Sequence, residues 1–131
     1  MNIGEVAKAS GMAAKMIRHY EEAGLIKPAA RTESNYRVYT STDVEVLRFV
    51  KQARRLGFAT NQIAALLALW QDRNRPSSEV KRLAKEHIAE LDRRIRELTG
   101  MKETLEHLAK HCHGDSRPEC PILDALASGR H

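Results

Sequence analysis

The stretch IGEVAKASGMAAKMIRHYEEAG, running from Ile3 to Gly24, decides how the chain is read. Ile3, Val6 and Ala7 recur at helical spacing up to Ser10, and Gly11 is the residue type that most readily closes a helix through a left-handed backbone. After a turn at Gly11-Met12, Ala13 to Ala23 reads as a second helix. Ala13, Ile17 and Tyr20 share one face, Lys15, Arg18, His19 and Glu22 fall elsewhere, and Gly24 stops it. Two short helices joined by a glycine turn make a helix-turn-helix, a motif that can place its second helix in a DNA major groove.

Outward from that motif, Lys27-Pro28 and Glu33-Ser34-Asn35 are turn residues, and Tyr36-Arg37-Val38-Tyr39 is an aromatic and β-branched run suited to a strand, which together predict a small hairpin or wing. Thr40 with Asp43 predicts a capping box opening a helix to about Leu56, with Val44, Leu47, Val50 and Leu56 as its buried stripe. Gly57 breaks that helix. Thr60 is expected to cap a fourth, whose apolar face is Ile63, Leu66, Leu67 and Trp70. Gln71 to Ser78 is polar and contains Pro76, so residues 1–70 read as a DNA-binding head and 71–77 as a linker.

Residues 78–110 then read as one long amphipathic helix. Ile88 and Ile95 take one heptad position, Leu91, Leu98 and Leu105 the next, and Val80, Met101 and Leu108 widen the seam. At about 1.5 Å per residue this helix is about 45–50 Å long, more than so small a head can cover, so its stripe calls for a second copy of the chain, parallel or antiparallel. The fold class expected is mainly α: a winged helix-turn-helix, a long dimerisation helix, and a short terminal segment over 111–131.

Composition bounds what such a molecule can do. The 131 residues allow one small domain and one extended element. A net charge of +5 favours a polyanionic partner, although charge alone does not separate DNA from RNA or a membrane surface. Met1 leads directly into Asn2-Ile3-Gly4-Glu5 and no long apolar run follows, so neither signal peptide nor spanning helix is expected, and the expected location is the cytoplasm, with no membrane partner. No paired catalytic carboxylates, phosphate loop or Ser-His-Asp arrangement is found, and the chain is not expected to be an enzyme.

The start of the second helix puts Ala14, Lys15 and Arg18 nearest base edges and phosphates. Tyr20, Tyr36, Arg37 and Tyr39 are candidate phosphate donors from the helix end and the wing, with Arg31 and Arg54 as further candidates. The competing reading makes the tyrosines core and the cations solvated surface.

A second constellation is His111-Cys112-His113-Gly114-Asp115-Ser116-Arg117-Pro118-Glu119-Cys120-Pro121-Ile122. Two cysteines with Gly114 and Pro118 between them can fold into a loop whose sulfurs meet across one ion. Thiolates are soft ligands that suit Cu(I), and two suffice for Cu(I), Ag(I) or Au(I), one ion per loop. Pro121 fits the first position of a short helix to Ala127, which makes Cys120 its cap and turns the positive helix end toward the sulfur. Two alternatives use the same residues: a tetrahedral zinc or other divalent site drawing on two of His107, His111 and His113, and a thiol–disulfide switch.

The runs Ile3-Gly4-Glu5-Val6-Ala7, Arg18 to Ile26, Asn35 to Tyr39 and Leu56-Gly57-Phe58 together resemble the MerR family of bacterial transcriptional regulators over residues 1–70. The resemblance implies promoter DNA as partner, an antiparallel homodimer, and RNA polymerase as an indirect partner acting on DNA that the regulator distorts. Cys112 to Ile122 resembles the metal loop of the copper-responsive, CueR/HmrR-type branch, which implies Cu(I) on Cys112 and Cys120 and activation of copper efflux and detoxification genes. In that family, members sensing divalent ions carry a further cysteine at the start of the dimerisation helix. This chain has Ser77 and Ser78 there, which makes Ser77 a metal-selectivity position by resemblance.

Overall fold

The computed structural model describes residues 1–129. The last two residues of the expected 111–131 segment, Arg130 and His131, lie outside the described residues. Six helices and one two-stranded sheet follow in the order α1 (Ile3–Ser10), α2 (Ala14–Glu22), β1 (Ala30–Arg31), β2 (Arg37–Val38), α3 (Ser41–Arg55), α4 (Thr60–Gln71), α5 (Ser77–His111) and α6 (Pro121–Ser128). They fall into two compact units, Met1–Lys81 and Arg82 onward.

In the first unit, α1 opens on a capping box: Asn2 Oδ1 accepts the Glu5 N–H at 2.8 Å, and Glu5 Oε1 accepts the Asn2 N–H at 3.0 Å. Gly11 closes it at φ 72°, a left-handed backbone that favours glycine. The core gathers Val6, Met12, Ile17, Tyr20, Tyr39, Val44, Leu47, Val50, Ala53, Ile63 and Leu67 from every helix of the head and the end of the wing. Arg48 on α3 donates twice to the Ala9 carbonyl, at 3.2 and 2.8 Å, placing a cation at the C-terminal end of α1 where the helix carbonyls are unpaired.

The wing is a short antiparallel hairpin with Ala30 opposite Val38 and Arg31 opposite Arg37. Its turn is held by the Thr32 hydroxyl, which accepts the Tyr36 N–H at 3.1 Å, and by Arg31, which donates to the Asn35 carbonyl at 3.0 Å while Asn35 takes a left-handed φ of 65°. Thr40 and Asp43 form the expected capping box of α3.

Four positions differ from the sequence reading. Ala13 is exposed, because α2 begins at Ala14 with Ala13 as an extended cap, and Met12 takes the core place instead. Leu56 is 65% exposed and Ala53 is buried. Nine residues separate Leu47 from Leu56, a rotation of about 180° around a helix of 3.6 residues per turn, so the two cannot share a face. Thr60 lies inside α4; the cap is Ala59, whose N–H is accepted by Gln62 Oε1 at 2.7 Å. Trp70 is 40% exposed at the core's edge, stacked on Phe49 with ring centroids 4.6 Å apart.

In the second unit, α5 carries exchanged charges along its flank, including Arg82 with Glu86 at 2.5 Å and Arg93 with Glu90 and Glu97. Much of its apolar stripe is exposed among the described residues: Ile88, Ile95, Leu98, Met101 and Leu105 are each more than half exposed, while Val80, Leu91 and Leu108 are half-buried. No helix among the described residues is long and apolar enough to cross a membrane.

Two substitutions test the head's construction by urea unfolding at a fixed protein concentration. Ile17→Ala, at a fully buried position, is expected to destabilise by about 2–5 kcal/mol through lost burial and a residual cavity. Thr40→Ala, which removes only a cap, should cost about 1 kcal/mol. An Ile17→Ala loss no larger than that of Thr40→Ala would contradict this packing.

Candidate nucleic-acid interface and metal site

One face of the head is assembled from α2 and the wing. Ala13 makes no side-chain cap to α2, and while the Met16 N–H turns back to the Ala13 carbonyl at 2.9 Å, the Ala14 and Lys15 N–H groups keep their donors for an external acceptor, with the positive end of the helix dipole pointing the same way. Lys15 and Arg18 stand exposed on this helix and have no intramolecular partner among the described residues. Ala14 beside them is half-buried. On the wing, Tyr36 is 73% exposed.

The remaining sequence candidates are tied into the head. Tyr20 is buried, and its hydroxyl accepts from Arg54 Nη1 at 3.0 Å. Tyr39 is buried, and its hydroxyl donates to Glu21 Oε1 at 2.6 Å. Arg37 pairs with Glu21 Oε2 at 3.1 Å and donates to the Tyr39 hydroxyl at 3.5 Å, while Arg31 closes the wing turn. Burial, then the bond to Glu21, push the Tyr39 phenol above its usual range, and Arg37 opposes them. The hydrogen bond to Tyr39 raises the Arg37 guanidinium further, against partial burial and aided by Glu21. Tyr20 and Tyr39 therefore sit as packing residues with committed hydroxyls. Glu21, which joins Arg37 to Tyr39, was not singled out from sequence; only its place one residue after Tyr20 on an otherwise exposed turn hinted at a partner.

Cys112 lies one residue beyond α5, and Cys120 is the N-cap of α6, with Pro121 at the first helical position. Their sulfurs are 3.9 Å apart, both residues are partly buried, and both are free thiols. Within the loop, Asp115 accepts the Arg117 N–H at 2.9 Å and pairs with its guanidinium. The Cys120 thiol is held below its ordinary range, first by the Leu123 N–H and, against burial, by the Ile122 N–H and the Cys112 thiol; Asp124 acts the other way. These are the donors that a first helical turn offers a thiolate.

The residues present fit a soft, low-coordinate metal ion. With metal–sulfur bonds of about 2.3 Å, the zinc value, two thiolates on one ion stand at most about 4.6 Å apart, and the observed separation lies inside that reach. The histidines do not join them. His107 and His111 pack edge to face with ring centroids 4.4 Å apart, His113 is exposed, and among the described residues no three His, Cys, Asp or Glu side chains form a metal-binding group. Ser77 is exposed in the first turn of α5.

Comparison with known proteins agrees with this architecture. Residues 1–70 match the model of the MerR HTH family of regulatory proteins, and residues 44–108 match that of the MerR DNA-binding region. The chain is 60% identical over 129 residues to heavy metal-dependent transcription regulator 2 of Rhizobium meliloti, covering 98% of this chain and 88% of that one. It is 42% identical to the HTH-type transcriptional regulator CueR of Salmonella typhimurium, covering 100% and 95% of the two chains. A transcription regulator of Ralstonia metallidurans solved in complex with lead(II) superposes with a TM-score of 0.83 at 31% identity, over 96% of this chain and 98% of that one. A helix-turn-helix with a wing, a basic α2 face and two family models spanning most of its length lead to one conclusion: the chain belongs to the MerR family of DNA-binding transcription regulators and is not an enzyme.

Proposed function

We propose that this protein is a Cu(I)-responsive member of that family, acting as a cytoplasmic homodimer that activates copper efflux and detoxification genes by distorting promoter DNA. The observation that carries the metal assignment is the donor set: two facing thiols, one of them at the N-terminus of α6. A monovalent soft ion, when bound, supplies the charge that lets two thiolates lie side by side, leaving a net −1 that the α6 N-terminus can tolerate. Ag(I) and Au(I) meet the same requirement. The relatives' names support the coarser part of this reading, a response to metal, since one is a heavy metal-dependent regulator and another was solved with lead(II).

Ser77 and Cys112 stand at opposite ends of α5, and a helix separates its residues by about 1.5 Å each, so within one chain they do not share an ion. In an antiparallel dimer, the start of one α5 borders the loop at the end of the other. There, serine in place of a third thiol withholds a ligand that a divalent ion would use. The exposed stripe of α5 is the surface such a dimer would bury, and the exposed Leu123 and Leu126 of α6 are apolar surface that can pack on the partner in the metal-filled state.

Each head would hold one half of a pseudo-palindromic site. Lys15 and Arg18 on α2, with the Ala14 backbone close by, would face the groove. Tyr36 and Arg37 would reach phosphates from the wing, Tyr20 and Tyr39 would support that surface from the core, and Arg31 and Arg54 would brace it. Distorting DNA costs a few kcal/mol, which dimer contacts must supply. Metal can select the distorting state only if the two states bind it with different affinity. RNA polymerase then engages through the realigned promoter.

Three measurements test this reading. Leu98→Lys, placing a charge in the α5 stripe, is expected to give a monomer by light scattering that no longer binds a two-half-site operator; an intact dimer would remove the stripe from the interface. In operator titrations, Arg37→Ala should weaken binding and lower the salt slope by about 1, whereas Arg18→Ala should also relax sequence preference. Unchanged affinity and slope would take the residue out of the contact set. In transcription in vitro, Cys112→Ser and Cys120→Ser should each abolish activation by Cu(I), and wild-type protein should take up one Cu(I) per chain. Full activation of either variant, or stoichiometric Zn(II) in place of Cu(I), would overturn the metal assignment.

A further inference from the structure

The wing is too short to fix its own pose. Each strand is two residues long, and an isolated two-stranded ribbon is marginally stable in water. It is tied to the head at the end of β2, where the Tyr39 N–H donates to the Met1 carbonyl at 2.7 Å and the Tyr39 side chain enters the core. The other tie is Glu21 on α2. Its carboxylate is 7% exposed, with one oxygen accepting from the Tyr39 hydroxyl at 2.6 Å and the other ion-paired with Arg37 Nη1 at 3.1 Å. A carboxylate in a helix that faces DNA lowers the local attraction for phosphate, and hiding one from water is unfavourable unless it is well paired. This one spends both oxygens on the wing.

We propose that Glu21 is a positioning residue for DNA binding, clamping the wing to α2 and holding the Arg37 guanidinium by one nitrogen so that its remaining N–H groups stay aimed outward. Arg37 keeps 29% of its side chain exposed, and its ion pair with Glu21 and its hydrogen bond to the Tyr39 hydroxyl both run through Nη1, which leaves Nε and Nη2 for a phosphate. Ordering a long side chain before binding removes an entropic cost otherwise met on the DNA. The proposal rests on the reading that Arg37 contacts a phosphate, and it adds that a buried acidic residue, which itself touches no DNA, sets how well that contact is made.

The sign of one substitution separates a clamp from a mere charge. Operator affinity and its salt slope are measured by titration of the folded dimer for Glu21→Ala, Glu21→Gln, Arg37→Ala and the Glu21→Ala/Arg37→Ala pair, with circular dichroism confirming fold. If Glu21 acted only as a negative charge, both Glu21 variants would bind DNA more tightly. The clamp predicts that Glu21→Ala binds about 3- to 10-fold more weakly, and that Glu21→Gln, which keeps an acceptor oxygen, recovers most of the loss. It also predicts that the double variant is no weaker than Arg37→Ala alone. Tighter or unchanged binding by Glu21→Ala, with Arg37→Ala still weakened, would overturn the clamp and leave the phosphate contact standing. Unchanged affinity and slope for Arg37→Ala would overturn both. Should Glu21→Ala not fold, Tyr39→Phe is read in its place: it removes the hydroxyl that bridges Glu21 and Arg37 and should weaken binding a few-fold, and wild-type affinity and slope would overturn the proposal.

Discussion

The exposed face of α2 and the pose of the wing both depend on how α2 is seated. Ile17 and Tyr20 are buried in the core shared with α1, α3 and α4, and because side chains three apart lie on one face of a helix, their burial turns Lys15 and Arg18 outward. The same seating delivers Glu21 to the wing. A single hydrophobic decision, which stripe of α2 goes inward, therefore fixes the outward-facing cations, the uncapped helix start and the pose of the hairpin.

The head and the far end of the chain solve different electrostatic problems with one device. At α2, an uncapped helix start beside exposed cations makes a surface for an external anion. At α6, the helix start faces an internal one, the Cys120 sulfur, and its N–H groups pull the thiol toward the charged form. Proline at the first position of α6 loses no useful donor, since the N–H groups that reach the sulfur belong to later residues. The exposed Ile88, Ile95, Leu98, Met101 and Leu105 of α5 form an apolar surface that water covers at a cost.

The helices were readable because their signals are local. Glycine closes α1, Thr40 with Asp43 opens α3, and Pro121 opens α6, each through bonds within a few residues. The errors arose where a local rule was extended past its range. Leu56 continued a spacing of three that had already rotated off the buried face, and Thr60 looked like a cap although Gln62 reaches back to the Ala59 N–H instead. At the candidate metal site, the cysteine pair and its helix start were legible from residue type and spacing. The role of the nearby histidines was not, because whether a side chain turns toward a sulfur depends on how a loop closes.

By itself, the sequence determined the order and type of the elements, the family, the basic character of α2, and a pair of thiols with one at a helix start, since all of these follow from short-range geometry and residue chemistry. Only the tertiary structure decided which polar groups are spent internally. Tyr20, Tyr39, Arg37 and Arg54 look alike in sequence as potential phosphate donors, yet their partners lie 16 to 38 residues away. Whether a hydroxyl or guanidinium is free for DNA or committed to the protein depends on those distant neighbours, and no local pattern records them.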